Sequence, residues 1–213
     1  MAHPSIDPTF YRTAAEAAAA PGEQLAYVVA FDRAAQKHDA MTVVDVNPAS
    51  DSYGRVVGWT DVPGRGDELH HFGWNACSSA LKHEGHDMDG LQRRYLLVPG
   101  LRSSNIHVFD TQPDPRNPTL IKTIDAKSLS ENAGYSRPHT LHCGPDGVFL
   151  TCLGGPEGND DGPAGSPCST TRRSTSCGLG RPTGGDRSTS TTTPGGTSIR
   201  TRSSPASGGA APR

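Results

Sequence analysis

Residues 67–79, DELHHFGWNACSS, place many chemically active side chains in one short stretch of the chain. The segment holds an acidic pair, two adjacent histidines, a tryptophan and a thiol, and a second histidine pair follows at His139 and His142. Imidazole nitrogens bind copper, zinc, nickel and iron, and a few histidines with an open position are typical of a catalytic metal site. His70, His71, His139 and His142 are therefore the candidate metal ligands.

The spacing of these histidines matches no strict metal motif. Adjacent residues on a regular strand point to opposite faces, so His70 and His71 can share one ion only at a bulge or a strand end. His139 and His142 also lie on opposite faces unless Pro138 bends the strand. The alternative interpretation is a set of polar strand ends whose histidines are hydrogen-bonded within the protein and bind no metal.

Asp67, Glu68 and Cys77 extend the candidate site. Either acid could orient a ligating imidazole by accepting its second N–H. Cys77 is either a soft metal ligand or redox thiol, or a small buried apolar side chain. Cys143 and Cys152 flank a predicted hairpin and are expected to pack in the core.

The remaining histidines are interpreted as structural. His107 alternates with apolar residues in a predicted strand, and we expect it to face outward or to bond a backbone carbonyl. His83 and His86 fall in a polar loop that could catch a stray ion, although a solvated loop is the simpler interpretation. His3 and His38 belong to an N-terminal arm and a loop.

Short β-type segments bounded by turn residues must position these side chains. Eight strands are predicted, over 25–31, 41–46, 55–62, 93–101, 105–110, 119–125, 139–143 and 148–154. Gly144 to Gly147 indicate a hairpin between the last two. Helical periodicity is missing apart from about one turn within 13–20, which favours an all-β fold. At about 40–45 residues a blade, this length makes about three blades of a β-propeller, with a sandwich as the alternative.

The composition divides the chain into an arm (1–24), a β region (25–163) and a low-complexity tail (164–213). Residues 166–213 are rich in Ser, Thr, Gly, Pro and Arg, and they contain one acid and no aromatic residue. The tail carries a net charge of +6 and the rest of the chain −8. A segment with so little apolar surface is expected to be disordered, and without aromatic residues it does not indicate a specific nucleic-acid partner.

The number of cysteines and the hydropathy of the chain indicate in which cellular compartment the protein is expected. An odd count of five cysteines without framework spacing does not indicate a disulfide scaffold. The N-terminal residues lack the pattern of a signal peptide, and no apolar run approaches the ~20 residues of a membrane helix. We therefore expect a cytoplasmic protein without a membrane partner.

Several segments together resemble one family. DELHHFGWNACSS resembles the DELHHSGWNxCSSC segment of the selenium-binding proteins, the group that includes the methanethiol oxidases. Residues 27–71, 93–125 and 137–155 are similar, in order, to the first blade, to a strand pair with an intervening Pro-rich turn, and to an HTxHC hairpin of that family. The resemblance covers about residues 9–163.

The resemblance implies a seven-bladed β-propeller, of which this chain holds about three blades. It implies copper-dependent oxidation of methanethiol by oxygen and water to formaldehyde, hydrogen sulfide and hydrogen peroxide. The partners implied are a small thiol substrate and oxygen. By the same resemblance, His70, His71, His139 and His142 match histidines associated with the metal. The alternative is a non-catalytic fragment that binds selenium or another protein.

The chain also departs from the family pattern. Tyr53 is followed by Gly54, where animal members have the cysteine implicated in selenium attachment. Ala80 stands in place of the second cysteine of CSSC. The resemblance to a covalent selenium site is thus incomplete, and Cys77 is the remaining candidate there.

The resemblance ends near Gly165. With permitted codons, a one-base shift turns residues 186–198 into a string rich in histidine and tryptophan that looks like a continuation of the family. We interpret the tail as a frameshifted segment, and we expect the chain as written to fold poorly and to give no turnover. Resequencing the DNA across the codon of Gly165 tests this interpretation.

Overall fold

The computed structural model describes residues 7–82, 91–144, 147–158, 165–170 and 177–179. All of them belong to one compact unit, residues 1–182, whereas a second unit, residues 183–213, falls outside the described residues. The predicted tail therefore lies mostly outside them. His3, His83 and His86 are outside them as well.

Three antiparallel sheets follow one another along the chain, and each strand pairs with the strand before it in its sheet. The first sheet contains β1 (Leu25–Ala30), β2 (His38–Asp45) and β3 (Val56–Arg65). The second contains β4 (Gly73–Trp74), β5 (Tyr95–Pro99), β6 (Ile106–Asp110) and β7 (Thr119–Ile124). The third contains β8 (Ser136–Gly144), β9 (Gly147–Gly154), β10 (Gly165–Thr170) and β11 (Cys177–Leu179).

This arrangement confirms the all-β prediction, whereas the assignment of the sheets to propeller blades stays a prediction. All eight predicted strands are present, as is the hairpin that pairs Gly144 with Gly147. The short β4 was not predicted. Neither were β10 and β11, which fall within the segment predicted to be a disordered tail.

The central strands β5 and β6 of the second sheet are buried on both faces, and they contribute to two apolar cores. Leu96, Val98 and Phe109 pack against Met41 and Val62 of the first sheet. On the other face a larger core joins the second sheet, the third sheet and helix α2 (Ala126–Ala133). Because successive strand residues alternate between faces, the continuous apolar run YLLVP of β5 supplies both cores.

Two short α-helices and one 3-10 helix, Ser78–Lys82, complete the described elements. Helix α1 (Ala14–Ala19) lies where the sequence predicts a helical turn, with Thr13 accepting a hydrogen bond from the backbone N–H of Glu16. Helix α2 was not predicted. Its N-cap is Asp125, and its C-terminus is closed by Gly134 at φ 71°, a left-handed conformation that favours glycine. Within the described part of the chain, no helix has the length and apolar character that a membrane crossing requires.

The N-terminal arm packs on the loop that follows β4. Phe10 is buried in a small cluster with Ala76 and Leu91. The backbone N–H of Tyr11 donates to Ser78 Oγ at 2.8 Å. The arm is therefore tied to the segment that carries the first histidine pair.

Candidate metal centre

Three histidine side chains from two separate segments of the chain converge on one another. One ligand nitrogen from each of His70, His71 and His139 lies within 4.8 Å of the other two. The ring centroids are 5.2 Å apart for His70 and His71, 4.8 Å for His70 and His139, and 4.6 Å for His71 and His139. Nitrogens bound to one tetrahedral ion sit about 3.3 Å apart, so the most distant nitrogens of the cluster would have to approach by up to about 1.5 Å to share an ion.

His70 and His71 meet because they do not lie on a regular strand. Leu69 pairs with Gly100 in an isolated β-bridge, and β4 begins only after a further gap. Glu68 has φ 56°, which interrupts the extended conformation just before His70. Adjacent residues point to opposite faces only within a regular strand, so nothing forces the two rings apart here. His70 and His71 come together outside a regular strand, as the sequence analysis allowed.

His139 reaches the cluster through an irregularity in β8. The register between β8 and β9 shifts between Pro138 and Thr140, and Arg137 has φ 56°. A bulge re-aims the side chain at its position. The irregularity next to Pro138 thus accompanies the turn of His139 toward the first pair, but it does not bring His142 to the same side.

His142 is not brought to the other three histidines. It is exposed on β8, opposite Phe149 of β9. Its Nδ1 lies 2.7 Å from the backbone oxygen of Cys143. Of the four predicted ligands, the described structure groups three.

The two segments of the cluster are joined directly. The backbone N–H of Leu141 donates to the carbonyl of His71 at 3.0 Å. The hydroxyl oxygen of Thr140 lies 2.8 Å from Nδ1 of His139 and 3.3 Å from Nδ1 of His71. The positions of the rings are therefore coupled through β8.

Burial and neighbouring charge favour the neutral form of His139. Desolvation lowers the pKa of His139 from its ordinary 6.5, and the proximity of His70 and His71 lowers it further. A neutral imidazole has the lone pair that a metal needs. The cluster thus keeps one ring ready to bind a cation.

Glu68 and Asp67 take different roles. Glu68 Oε1 lies 3.6 Å from His70 Nε2, and its Oε2 pairs with Arg102 at 2.7 Å. Glu68 is thus the acid beside a cluster histidine. Among the hydrogen bonds of the described residues, Asp67 instead accepts from His107 at 3.2 Å.

The buried pair of Asp67 and His107 was missed by the sequence analysis. Both side chains are 1% exposed, so the prediction that His107 faces outward is wrong. His107 is satisfied by side chains rather than by a backbone carbonyl, since its Nδ1 lies 3.0 Å from Thr123 Oγ1. Burial acts to raise the pKa of Asp67, but the hydrogen bonds of His107, Ser103 and Asn105 and the charge of His107 together outweigh it, and the pKa is lowered.

Cys77 is not a thiol in this structure, because it forms a disulfide with Cys143. The Cα atoms are 6.2 Å apart and 66 positions separate the two residues in sequence. The expectation of no disulfide is therefore corrected, and Cys77 is not available as a thiolate ligand or a selenium acceptor in this state. Cys143 faces Val148, and the buried Cys152 faces Pro138, so the two hairpin cysteines are not opposite each other.

A cavity of about 890 Å³ lies elsewhere, between the arm and the second sheet. Its walls include Tyr27, Phe72 and Trp74, and Arg93 stacks on Trp74 at 5.1 Å. None of the cluster histidines lines it. The cavity is thus separate from the metal candidate.

Comparison with known proteins gives consistent matches. A family model described as 56kDa selenium binding protein (SBP56) matches residues 4–166. Selenium-binding protein 2 of Arabidopsis thaliana is 41% identical over 155 residues, which cover 71% of this chain and 31% of the relative. Methanethiol oxidase of Danio rerio is 38% identical over 155 residues, which cover 71% of this chain and 33% of the relative.

A solved structure is also similar. The X-ray structure of a hypothetical selenium-binding protein from Sulfolobus tokodaii is 46% identical with a TM-score of 0.74, and the match covers 80% of this chain and 37% of that one. The chain spans about a third of the length of the curated relatives it matches.

Proposed function

Because the chain belongs to the 56 kDa selenium-binding protein family, we propose that the cluster of His70, His71 and His139 binds copper and serves the oxidation of methanethiol. The convergence of three imidazoles from two distant segments is the observation that carries this proposal. The chain spans about a third of its curated relatives, so the activity is proposed for the whole protein, with these residues holding the metal.

The donor set fits a transition metal. The cluster offers three imidazoles and, within the described residues, no carboxylate or thiolate ligand. Magnesium and calcium prefer oxygen ligands, whereas imidazole suits copper, zinc, nickel and iron. Three protein ligands leave a position open for a substrate, as in catalytic sites.

Copper is favoured over zinc by the chemistry of the relatives. Several relatives carry the name methanethiol oxidase, and oxidation requires a centre that changes its oxidation state. Zinc has no redox chemistry. When bound, copper would supply a soft centre for a thiol and a path for electrons to oxygen.

The protein residues prepare this site. The lowered pKa of His139 keeps its ring neutral, and Thr140 orients the rings of His139 and His71. Glu68 places negative charge beside His70, which offsets the positive charge gathered by a metal. The exposed His71 places the cluster within reach of a small solute.

The proposed reaction takes methanethiol, oxygen and water to formaldehyde, hydrogen sulfide and hydrogen peroxide. Carbon is oxidised from the thiol to the aldehyde level, and oxygen is reduced by two electrons to peroxide. The C–S bond breaks, and sulfur leaves as hydrogen sulfide. The atoms and electrons balance without a further co-reactant.

The test begins with copper stoichiometry. The purified chain is loaded with Cu²⁺, desalted and analysed by elemental mass spectrometry, beside a variant in which His70, His71 and His139 are all replaced by Ala. We expect one copper per wild-type chain and none in the triple variant. Equal copper in both would contradict the assignment, and copper in neither would favour the alternative of a non-catalytic fragment.

The substrate class is tested on the same copper-loaded chain. Its optical spectrum is recorded before and after the addition of methanethiol, with methanol as the matched control. We expect a change with the thiol alone. No change with methanethiol would contradict the assigned substrate class while leaving the metal site intact.

A further inference from the structure

A buried histidine outside the cluster is tied to the segment that carries His70 and His71. His107 on β6 is 1% exposed, and its Nε2 lies 3.2 Å from Asp67 Oδ1. Asn105 donates to the same oxygen at 3.2 Å. On the other side of the ring, the hydroxyl of Thr123 lies 3.0 Å from His107 Nδ1. Asn105 and His107 therefore hold the side chain of Asp67 against the second sheet by two hydrogen bonds.

Such a pair is not explained by stability alone. Removing a carboxylate from water is costly, and replacing a whole buried ion pair by apolar residues of similar volume is often neutral or stabilising. His107 lies in a strand whose five residues are all buried. Apolar residues in place of both Asp67 and His107 would avoid this desolvation cost, so the pair points to a role in positioning the chain.

The backbone next to Asp67 is held in a strained conformation. Glu68 has φ 56°, a left-handed conformation that is unfavourable in a non-glycine residue. The N–H of Glu68 donates to the buried Asp39 at 2.7 Å, and the carbonyl of Asp67 accepts from Arg102 N at 3.0 Å. Strain of this kind persists only where neighbours fix the chain on both sides.

The strained residue lies two positions before His70. The N–H of His70 donates to the carbonyl of Pro99 at 2.8 Å, so the chain returns to a fixed position two residues after Glu68. The Asp67 side chain is thus the N-terminal anchor of the turn, and the His70 backbone is its C-terminal anchor.

We propose that His107 is a positioning residue for the metal cluster, acting through Asp67 and the strained turn at Glu68 to hold His70 against His139. The metal part of this proposal rests on the proposed function, whereas the packing of the rings does not. Outer partners of metal ligands are commonly worth 10–100-fold in metal affinity. His107 does not itself touch the metal or the substrate.

The test compares His107→Leu with His107→Gln in the 213-residue chain. Both replacements are of similar volume, but only the glutamine amide can donate to Asp67. We expect His107→Leu to weaken Cu²⁺ binding by about 10–100-fold and to alter the copper electron paramagnetic resonance spectrum. His107→Gln is expected to recover most of the affinity and the wild-type spectrum.

The spectrum and the rescue separate positioning from folding. General destabilisation lowers the folded fraction but leaves the spectrum of the copper that does bind unchanged. Equal weakening in the Leu and Gln variants with a wild-type spectrum, or no effect in either, would overturn the proposal. If His107→Leu does not fold, Thr123→Val removes the other partner of the ring. It is expected to weaken binding in the same direction, and no effect there would overturn the proposal.

A metal-free measurement keeps this proposal distinct from the proposed function. Nuclear Overhauser contacts between the ring protons of His70 and His139 report their packing without copper. We expect these contacts in the wild type and in His107→Gln, and their loss in His107→Leu. A wild-type chain that shows the contacts but binds no copper contradicts the proposed function alone. Contacts that persist in His107→Leu contradict the positioning role.

Discussion

The hydroxyl oxygen of Thr140 lies 2.8 Å from Nδ1 of the adjacent His139, and the same oxygen is 3.3 Å from Nδ1 of His71. A hydroxyl has one proton, so it donates to one ring and accepts from the other. The neutral ring that donates from Nδ1 presents an Nε2 lone pair to a metal. The ring that accepts at Nδ1 carries its proton on Nε2 and must change tautomer to bind through that atom. Thr140 therefore decides which of the two rings carries its proton on Nδ1.

Replacing Thr140 by Val should lower the metal affinity of the cluster by about 10–100-fold, because the shared hydroxyl is lost while the side-chain shape is kept. Isothermal titration with Cu²⁺ measures the change. Thr140→Ser retains the hydroxyl and is expected to bind nearly as well as the wild type. Equal affinities for the Val and Ser variants would show that the hydroxyl does not orient the rings.

Single replacements of His70, His71 or His139 by Ala should each weaken Cu²⁺ binding by at least about 100-fold. Loss of a metal ligand lowers metal affinity more than loss of a residue that hydrogen-bonds to a ligand. Loss of such a residue typically lowers affinity by about 10–100-fold. His142→Ala is the matched control, since His142 lies on the same strand as His139 but outside the cluster. A loss of similar size in His142→Ala would restore His142 as a fourth ligand and require β8 to rearrange.

His139 should titrate below its ordinary pKa of 6.5 in the metal-free protein, because burial and then the two neighbouring histidines lower its pKa. Proton resonances of the ring, followed against pH, give the midpoint. His71→Ala removes one neighbour and should raise the midpoint only in part, because burial remains. A wild-type midpoint at or above 6.5 would contradict the assigned environment.

The same shift predicts how stability depends on pH. The unfolded chain binds this proton more readily than the folded one, so the free energy of unfolding falls as the pH drops through 6.5. The contribution of His139 is fully present above that pH. Urea unfolding at several pH values measures the trend. His139→Gln should flatten it, and a variant as steep as the wild type would assign the trend to other groups.

Replacing both Cys77 and Cys143 by Ser should lower the free energy of unfolding by about 4 kcal/mol, because the disulfide closes a loop of 66 positions. Urea unfolding under oxidising conditions measures the difference. Adding a reductant to the wild type is the control, and it should bring the wild type close to the double variant. Alkylation with mass analysis should leave both cysteines unmodified in the oxidised chain, and labelling of both would show that the bond does not form.

Much of the fold follows from local patterns. Runs such as YLLVP and IHVFD predict strands because β-branched and aromatic residues suit a pleated, buried surface. Helix α2 did not stand out because only Leu129 and Ala133 form its buried stripe. The sequence indicates this helix only through its two capping residues, Asp125 and Gly134.

The site was partly predictable. The residue types and the strand-end argument identified His70, His71 and His139, but which member of the second pair joins them depends on the bulge near Pro138. Alternation of side chains along a strand assigns His107 to one face of β6. It does not show whether that face is exposed, and in the structure both faces are buried. The continuous apolar run of β5 next to it was the available signal.

The disulfide could not have been found from sequence. Its cysteines are 66 positions apart, and five cysteines allow many pairings. The pairing depends on the loop after β4 coming to lie beside β8, which is a tertiary contact. Long-range contacts of this kind are set by sheet packing rather than by local propensity.

The second sheet contributes to two cores at once, through Leu96, Val98 and Phe109 on one face and through Leu97 and Val108 on the other. If either core opens, one face of β5 and β6 becomes exposed to solvent. The same two strands also form part of the other core, which is then weakened. We therefore expect the amide protons of β5 and β6 to exchange with solvent more slowly than those of the other strands, and only through opening of the whole unit. A destabilising mutation in the first or third sheet should therefore make unfolding of the whole unit, the histidine cluster included, less cooperative. It should not act only on the residues around the mutation.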